Sequence, residues 1–119
     1  MRAAPALAAA GALLAACAPA YHGPAVPGAD AAHGRTVLTA AECGACHQIT
    51  GVPGASGQVG PSLAGLGKRT ILAGVLPNRP DNLMTWIRTP QAIKPGDAMP
   101  DSRLSEPDAR DAAAWLEGH

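Results

Sequence analysis

Apolar residues recur at helical spacing in three segments of the chain, and nowhere do they alternate convincingly as a strand would. The first segment runs from about Ala31 to Glu42, with Val37 and Leu38 on its apolar side and Gly34 small enough to let another helix approach closely. The second starts near Arg79-Pro80-Asp81 and runs to Arg88. Proline suits its first turn, Pro90 ends it, and Leu83, Trp86 and Ile87 fall at i, i+3 and i+4 on one face. The third opens on Ser105-Glu106-Pro107-Asp108, a start resembling a capping box, and continues through alanines to Trp115, Leu116 and Gly118. A shorter helical turn is expected near Thr70–Leu76. The glycine-rich stretch from Gly51 to Gly67 reads as a loop. The pattern predicts a small, loop-rich, all-α domain.

Composition makes that domain's core thin. Among 119 residues there is no Phe, with two Trp and one Tyr, and much of the apolar fraction is alanine, which buries little area. A large apolar cofactor at the centre would supply the contacts that side chains lack. Nine Lys and Arg balance nine Asp and Glu, which argues against nucleic acid as the main partner. Along the chain the balance is uneven. Lys68, Arg69, Arg79, Arg88 and Lys94 surround the single acid Asp81, whereas Asp97, Asp101, Glu106, Asp108, Asp111 and Glu117 outnumber Arg103 and Arg110. One basic and one acidic face are expected, although ordinary solvated surface gives the same pattern.

The first residues have a different character. Arg2 precedes an apolar run of Ala and Leu that ends in Leu14-Ala15-Ala16-Cys17, too short to span about 30 Å of hydrocarbon and bracketed by Pro5 and Pro19. Residues 1–16 are therefore expected to be an export signal. The end of the run resembles the lipobox of bacterial lipoproteins, which makes Cys17 the lipidated first residue of a membrane-tethered protein facing the periplasm or the cell exterior. Residues 17–30 follow as a flexible tether rich in Gly and Pro, and residues 31–119 form the folded domain.

Within that domain Glu42-Cys43-Gly44-Ala45-Cys46-His47 gathers two of the chain's three cysteines beside an imidazole. A structural zinc site needs four ligands, and none of His22, His33 and His119 stands at the spacing of a second ligand pair. A thioredoxin-like pair should open a helix after a strand, and the preceding segment is helical. Cys-x-x-Cys-His as the attachment site of a c-type haem fits best: on a helical segment Cys43, Cys46 and His47 share one face, so both thiols and an axial imidazole meet one cofactor. The sixth iron ligand separates electron carriers from gas sensors and oxygen enzymes. Met84, inside a helix, reads as a packing residue, and Met99 lies in the proline-stiffened loop Lys94-Pro95-Gly96-Asp97-Ala98-Met99-Pro100; His22, His33 and His119 complete the candidates.

Several of these residues together resemble class I cytochrome c in order and spacing: CGACH at 43–47, GPSL at 60–63, Lys68-Arg69-Thr70, the helix ending in WIRTP, and KPGDAMP at 94–100. The stretch from Val59 to Pro100 is similar in particular to the cytochrome c domain of subunit II of caa3-type cytochrome oxidases; the domain is expected to stand alone on its lipid anchor, without the cupredoxin domain or transmembrane hairpin of that arrangement. The resemblance implies helices wrapped around one haem c, held covalently through Cys43 and Cys46. It implies His47 as proximal ligand donating to the carbonyl of Pro61, Met99 as distal ligand, Arg69 near a haem propionate and Trp86 against the haem on the methionine side. It also implies that Trp115 and Leu116 pack where the last helix crosses the first, near Gly34 and Leu38. The expected function is one-electron transfer in a respiratory chain, without chemistry on a substrate. The expected partners are a terminal oxidase, a bc1-type complex or another cytochrome, met by a monomer or an accessory subunit. The alternative is a haem-based sensor with a displaceable sixth ligand.

Overall fold

The computed structural model describes residues 23–119, so the expected signal segment, Cys17 and His22 lie outside the described residues. Four helices form: α1 (Ala31–Ala40), α2 (Pro80–Arg88), α3 (Pro90–Ile93) and α4 (Glu106–Gly118). Single 3₁₀ turns at Cys43–Ala45 and Leu66–Lys68 and a small antiparallel hairpin, β1 (Ile71–Leu72) and β2 (Leu76–Pro77), complete the secondary structure of the described residues. No helix among them is long and apolar enough to cross a membrane.

The helix starts follow from their capping residues. Asp30 Oδ1 accepts the His33 N–H at 3.0 Å and opens α1, while Ser105 Oγ accepts the Asp108 N–H at 3.2 Å and opens α4. Proline occupies the first turn of α2, α3 and α4, where its missing N–H costs no hydrogen bond. Helix α1 is shorter than the expected span to Glu42, because Glu42 takes a left-handed conformation (φ 56°) that breaks the helix before Cys43.

Helix α4 is the spine of the fold and packs on α1, on α2 and on the Leu66–Lys68 turn. Ala109, Ala112, Ala113 and Leu116 line its buried face. At the crossing with α1 the backbones nearly touch: a Cβ on Gly34 would lie 1.9 Å from the Asp111 carbonyl oxygen. Val37 and Leu38 on α1, Ile49 and Val52 from the loop, Leu66 from its 3₁₀ turn, Leu72 from β1, and Leu83 and Ile87 on α2 close the core around this crossing. Trp115 packs at its edge, as the resemblance implies; its Nε1–H donates to the Thr50 carbonyl at 3.0 Å and the His119 ring stacks on it at 3.7 Å.

Two segments depart from the sequence reading. Residues 70–77 form the hairpin, where a helical turn was expected, with Leu72 opposite Leu76. Asn78, just beyond it, fastens the hairpin to its surroundings: its backbone N–H donates to Thr70 at 2.9 Å, and its Nδ2 donates to the carbonyls of Arg69 and Leu66 and to Glu117 Oε2 on α4. The second departure is in the expected tether, whose described part lies against the domain. The Gly23 N–H donates to the Glu117 carbonyl at 2.7 Å, Val26 packs on the core, and Asp30 caps α1.

Candidate functional site

Beyond the break at Glu42 the chain makes one tight turn, in which the Cys43 carbonyl accepts from the N–H of Cys46 at 3.3 Å and of His47 at 3.1 Å. Cys43, Cys46 and His47 are thereby gathered onto one short turn, all half-buried, and the two cysteines are free thiols. Burial pushes the Cys43 thiol up from its ordinary value, against the lowering effect of a backbone hydrogen bond, and the neighbouring Cys46 adds to the rise. A redox-active pair needs the opposite, a thiolate favoured near neutral pH.

The loop after this turn wraps back onto it. The Gly60 N–H donates to the Cys46 carbonyl at 2.8 Å and the Leu63 N–H to the Gln48 carbonyl at 2.9 Å. The wrapping brings the Pro61 carbonyl to 2.7 Å from His47 Nδ1, which donates to it. Proline has no N–H of its own and a fixed φ, so its carbonyl is a well-placed acceptor. With Nδ1 committed, Nε2 is left as the lone-pair nitrogen, the form in which an imidazole binds a metal. The imidazole lies so close to Gly60 that a Cβ there would fall 2.3 Å from Cε1. One residue beyond Pro61, the Ser62 carbonyl accepts from the exposed Arg69 guanidinium, which joins Arg69 to the same wall.

Trp86 lies on α2 and Met99 in the loop after α3, away in sequence from the His47 turn. Trp86 is half-buried on α2 and stands outside the core cluster that holds Leu83 and Ile87, whereas Met84 packs against that cluster. Met84 is therefore the packing methionine of the helix. Met99 is half-buried in the loop after α3, which is cross-braced by side chains. Gln91 Nε2 donates to the carbonyls of Asp97 at 2.7 Å and Met99 at 2.8 Å, and Asp97 Oδ1 accepts the Met99 N–H at 3.0 Å. Of the other candidate ligands, His33 is held by Asp111 at 2.8 Å, and His119 is stacked on Trp115 with its Nδ1 on the Trp115 carbonyl.

The charges also depart from a clean basic face. Lys94 pairs with Asp97 at 3.3 Å, Arg79 with Asp81 at 3.7 Å, and Arg88 Nε donates to the Leu104 carbonyl at 3.0 Å. Of the residues bonded around His47, the sequence singles out Cys46, Pro61 and Arg69 and gives Gly60 no role; Asp97 enters there only as part of its loop and as a charge, and Gln91 not at all. Gly60 could have been read from the Gly-Pro pair, since a glycine before a constrained acceptor leaves room for the group it binds. Nothing marks Gln91 in a sequence, because a helix-turn glutamine ordinarily faces water.

The residues fit a covalently held haem. Two unpaired thiols three residues apart, an imidazole with one nitrogen anchored and the other free, and a glycine where any Cβ would push that ring aside are the donor set and clearance such a group requires.

The Cytochrome c family matches residues 31–119. Cytochrome c oxidase subunit 2 of Alkalihalophilus pseudofirmus is 38% identical over 84 residues, covering 70% of this chain and 24% of the relative. The protein of the same name from Bacillus sp. (strain PS3) is 37% identical over 59 residues, covering 48% of this chain and 17% of the relative. That of Bacillus subtilis is 28% identical over 92 residues, covering 74% and 26%. The chain spans about a quarter or less of the length of these relatives.

Proposed function

Because the chain belongs to the cytochrome c family and has its fold, an electron-transfer domain, we propose that it is a carrier of single electrons tethered to a bacterial membrane and facing the periplasm or the cell exterior. The observation that carries this reading is the 2.7 Å hydrogen bond from His47 Nδ1 to Pro61. It fixes the imidazole's orientation and tautomer, which suits a permanent iron ligand.

A haem held by thioether bonds to Cys43 and Cys46, with His47 and Met99 as axial ligands, would supply an iron that gains and loses one electron. The protein's own work is positional. Cys43 and Cys46 would keep the haem attached, and the bracing of the Met99 loop would present its thioether at one place; Trp86 would contribute apolar area that excludes water, and Arg69 would offset a haem propionate's charge. No substrate bond is made or broken. The cross-braced loop favours this carrier over a sensor, whose sixth ligand must leave readily.

Similarity to oxidase subunits supports a terminal oxidase as electron acceptor, with a bc1-type complex or another cytochrome as donor. Exposed Arg69 and Arg79, together with Lys68, are the candidate docking charges, which makes exchange fall as ionic strength rises. Attachment through a lipidated Cys17 completes the reading; Cys17→Ser then releases the protein from membranes.

Redox titration of the holoprotein, with its absorption spectrum followed throughout, tests the central claim. A covalently bound, low-spin, six-coordinate haem that titrates as one electron and ignores carbon monoxide when reduced is the expected result. Ready carbon monoxide binding by the unmodified protein overturns it in favour of the sensor.

A further inference from the structure

Between α3 and α4 the chain turns through Lys94-Pro95-Gly96-Asp97-Ala98-Met99, and a single side chain spans the turn. Gln91 uses both faces of its amide: Nε2 donates to the carbonyls of Asp97 and Met99, and Oε1 accepts the Gly96 N–H at 3.0 Å. Its own backbone N–H is held by Asp101 Oδ1 at 3.1 Å, so the base of the brace is fixed as well. Asp97 completes the frame, accepting the Met99 N–H on Oδ1 and pairing with Lys94 through Oδ2, while Lys94 Nζ reaches the Ala73 carbonyl in the hairpin at 3.4 Å. Both backbone polar groups of Met99 are thus held by side chains, the N–H by Asp97 and the carbonyl by Gln91.

We propose that Gln91 is the positioning residue for Met99, clamping the loop so that the thioether stays in place and external ligands are kept from replacing it. The inference rests on the reading of Met99 as distal ligand. The arrangement is selective for glutamine. Glutamate keeps the length and the acceptor for Gly96 but has no donors for the two carbonyls at neutral pH; leucine keeps the bulk and makes none of the bonds; lysine can donate but cannot accept. A loop without the clamp must spend conformational entropy each time the thioether takes its place, and a ligand that competes with methionine gains accordingly.

The test compares wild type, Gln91→Glu, Gln91→Leu and Met99→Ala as haem-loaded proteins. It reads the methionine–iron charge-transfer band of the ferric form and the rate of carbon monoxide binding to the ferrous form. The clamp predicts a weakened band in both Gln91 variants, with covalent haem content and far-ultraviolet dichroism unchanged, and a carbon monoxide rate raised roughly tenfold to thirtyfold in Gln91→Glu, which loses the two bonds to the carbonyls, and at least as much in Gln91→Leu, which loses all three. Met99→Ala loses the band and binds carbon monoxide fastest. If the Gln91 variants behave as wild type while Met99→Ala changes, the clamp is refuted and the ligand assignment stands. A Met99→Ala protein that keeps the wild-type band refutes the ligand assignment and the clamp with it. Should the Gln91 variants fail to accumulate, amide hydrogen exchange on the wild type decides. The Gly96 amide, which donates to Gln91, exchanges at least roughly tenfold more slowly than in an unstructured peptide if the clamp is closed, and at the peptide rate if there is none.

Discussion

The Nδ1–H of His47 donates to the Pro61 carbonyl at 2.7 Å across a gap kept open by Gly60, where a Cβ would fall 2.3 Å from the imidazole. Ring position and hydrogen bond therefore depend on the same missing methyl. Gly60→Ala should tilt or displace the ring, lowering the stability of the haem-loaded protein by about 1–3 kcal/mol and shifting its midpoint potential. Chemical denaturation and redox titration of the same preparation measure both.

A second missing methyl sets the core. At Gly34 an added Cβ would sit 1.9 Å from the backbone oxygen of Asp111, which cannot yield as a flexible side chain could. Gly34→Ala should force α1 and α4 apart at their crossing and cost about 2 kcal/mol, or roughly 10 °C in thermal midpoint for a domain of this size. Thermal unfolding followed by far-ultraviolet dichroism reads the shift.

How much of this was legible depended on where the physics is local. The starts of α2 and α4 could be read because Pro80, Ser105 and Pro107 act within one turn, and the Cys43–His47 cluster because five adjacent residues carry it. Pro90 was legible only in part: it bars α2 from continuing and then serves as the first residue of α3. The hairpin departs from the helical expectation: Leu72, Ala73 and Leu76 suit a helix, but β-branched Ile71 and Val75 favour a strand. Ala73 (φ 51°) and Gly74 (φ 75°) are both left-handed there, and alanine gives no warning of it. The brace on Met99 was hidden for a different reason. It is made by backbone carbonyls meeting a side chain after the loop has closed, and no periodicity records that.

The entry to α1 carries a charge network with a definite pH signature. Asp111 Oδ1 accepts the Asp30 N–H at 2.8 Å and its Oδ2 accepts from His33 Nδ1 at 2.8 Å, with Asp108 at 4.0 Å. The hydrogen bond to Asp111 raises His33 above its usual value, with Asp108 and Asp30 adding charge. Asp111 is held below the usual carboxylate range, first by the Asp30 N–H and then by His33. The raised histidine stabilises fully below about pH 6.5 and stops doing so as pH climbs through its folded value; the depressed aspartate stabilises above about pH 4 and stops as pH falls through its own. Their joint contribution is greatest between these limits. His33→Gln should accordingly lower the thermal midpoint more at about pH 5.5 than at about pH 9, and equal losses at the two values would rule the network out as a source of stability.

Glu117 behaves in the opposite sense to Asp111. It is buried on α4, its Oε1 has no hydrogen-bond partner among the described residues, and burial pushes its carboxyl up, only partly offset by the Asn78 Nδ2 donor. A carboxyl with a raised folded pKa favours the fold below its unfolded value of about 4.3 and loses that advantage as pH rises. Glu117→Gln should therefore stabilise the protein by about 1 kcal/mol near pH 8 and by less near pH 4, as denaturant titrations at the two values would record.

The Gly23 N–H on the Glu117 carbonyl means that the described chain enters the fold beside the point where it leaves. A fold whose described ends meet in this way suits fusion to other polypeptides at either end.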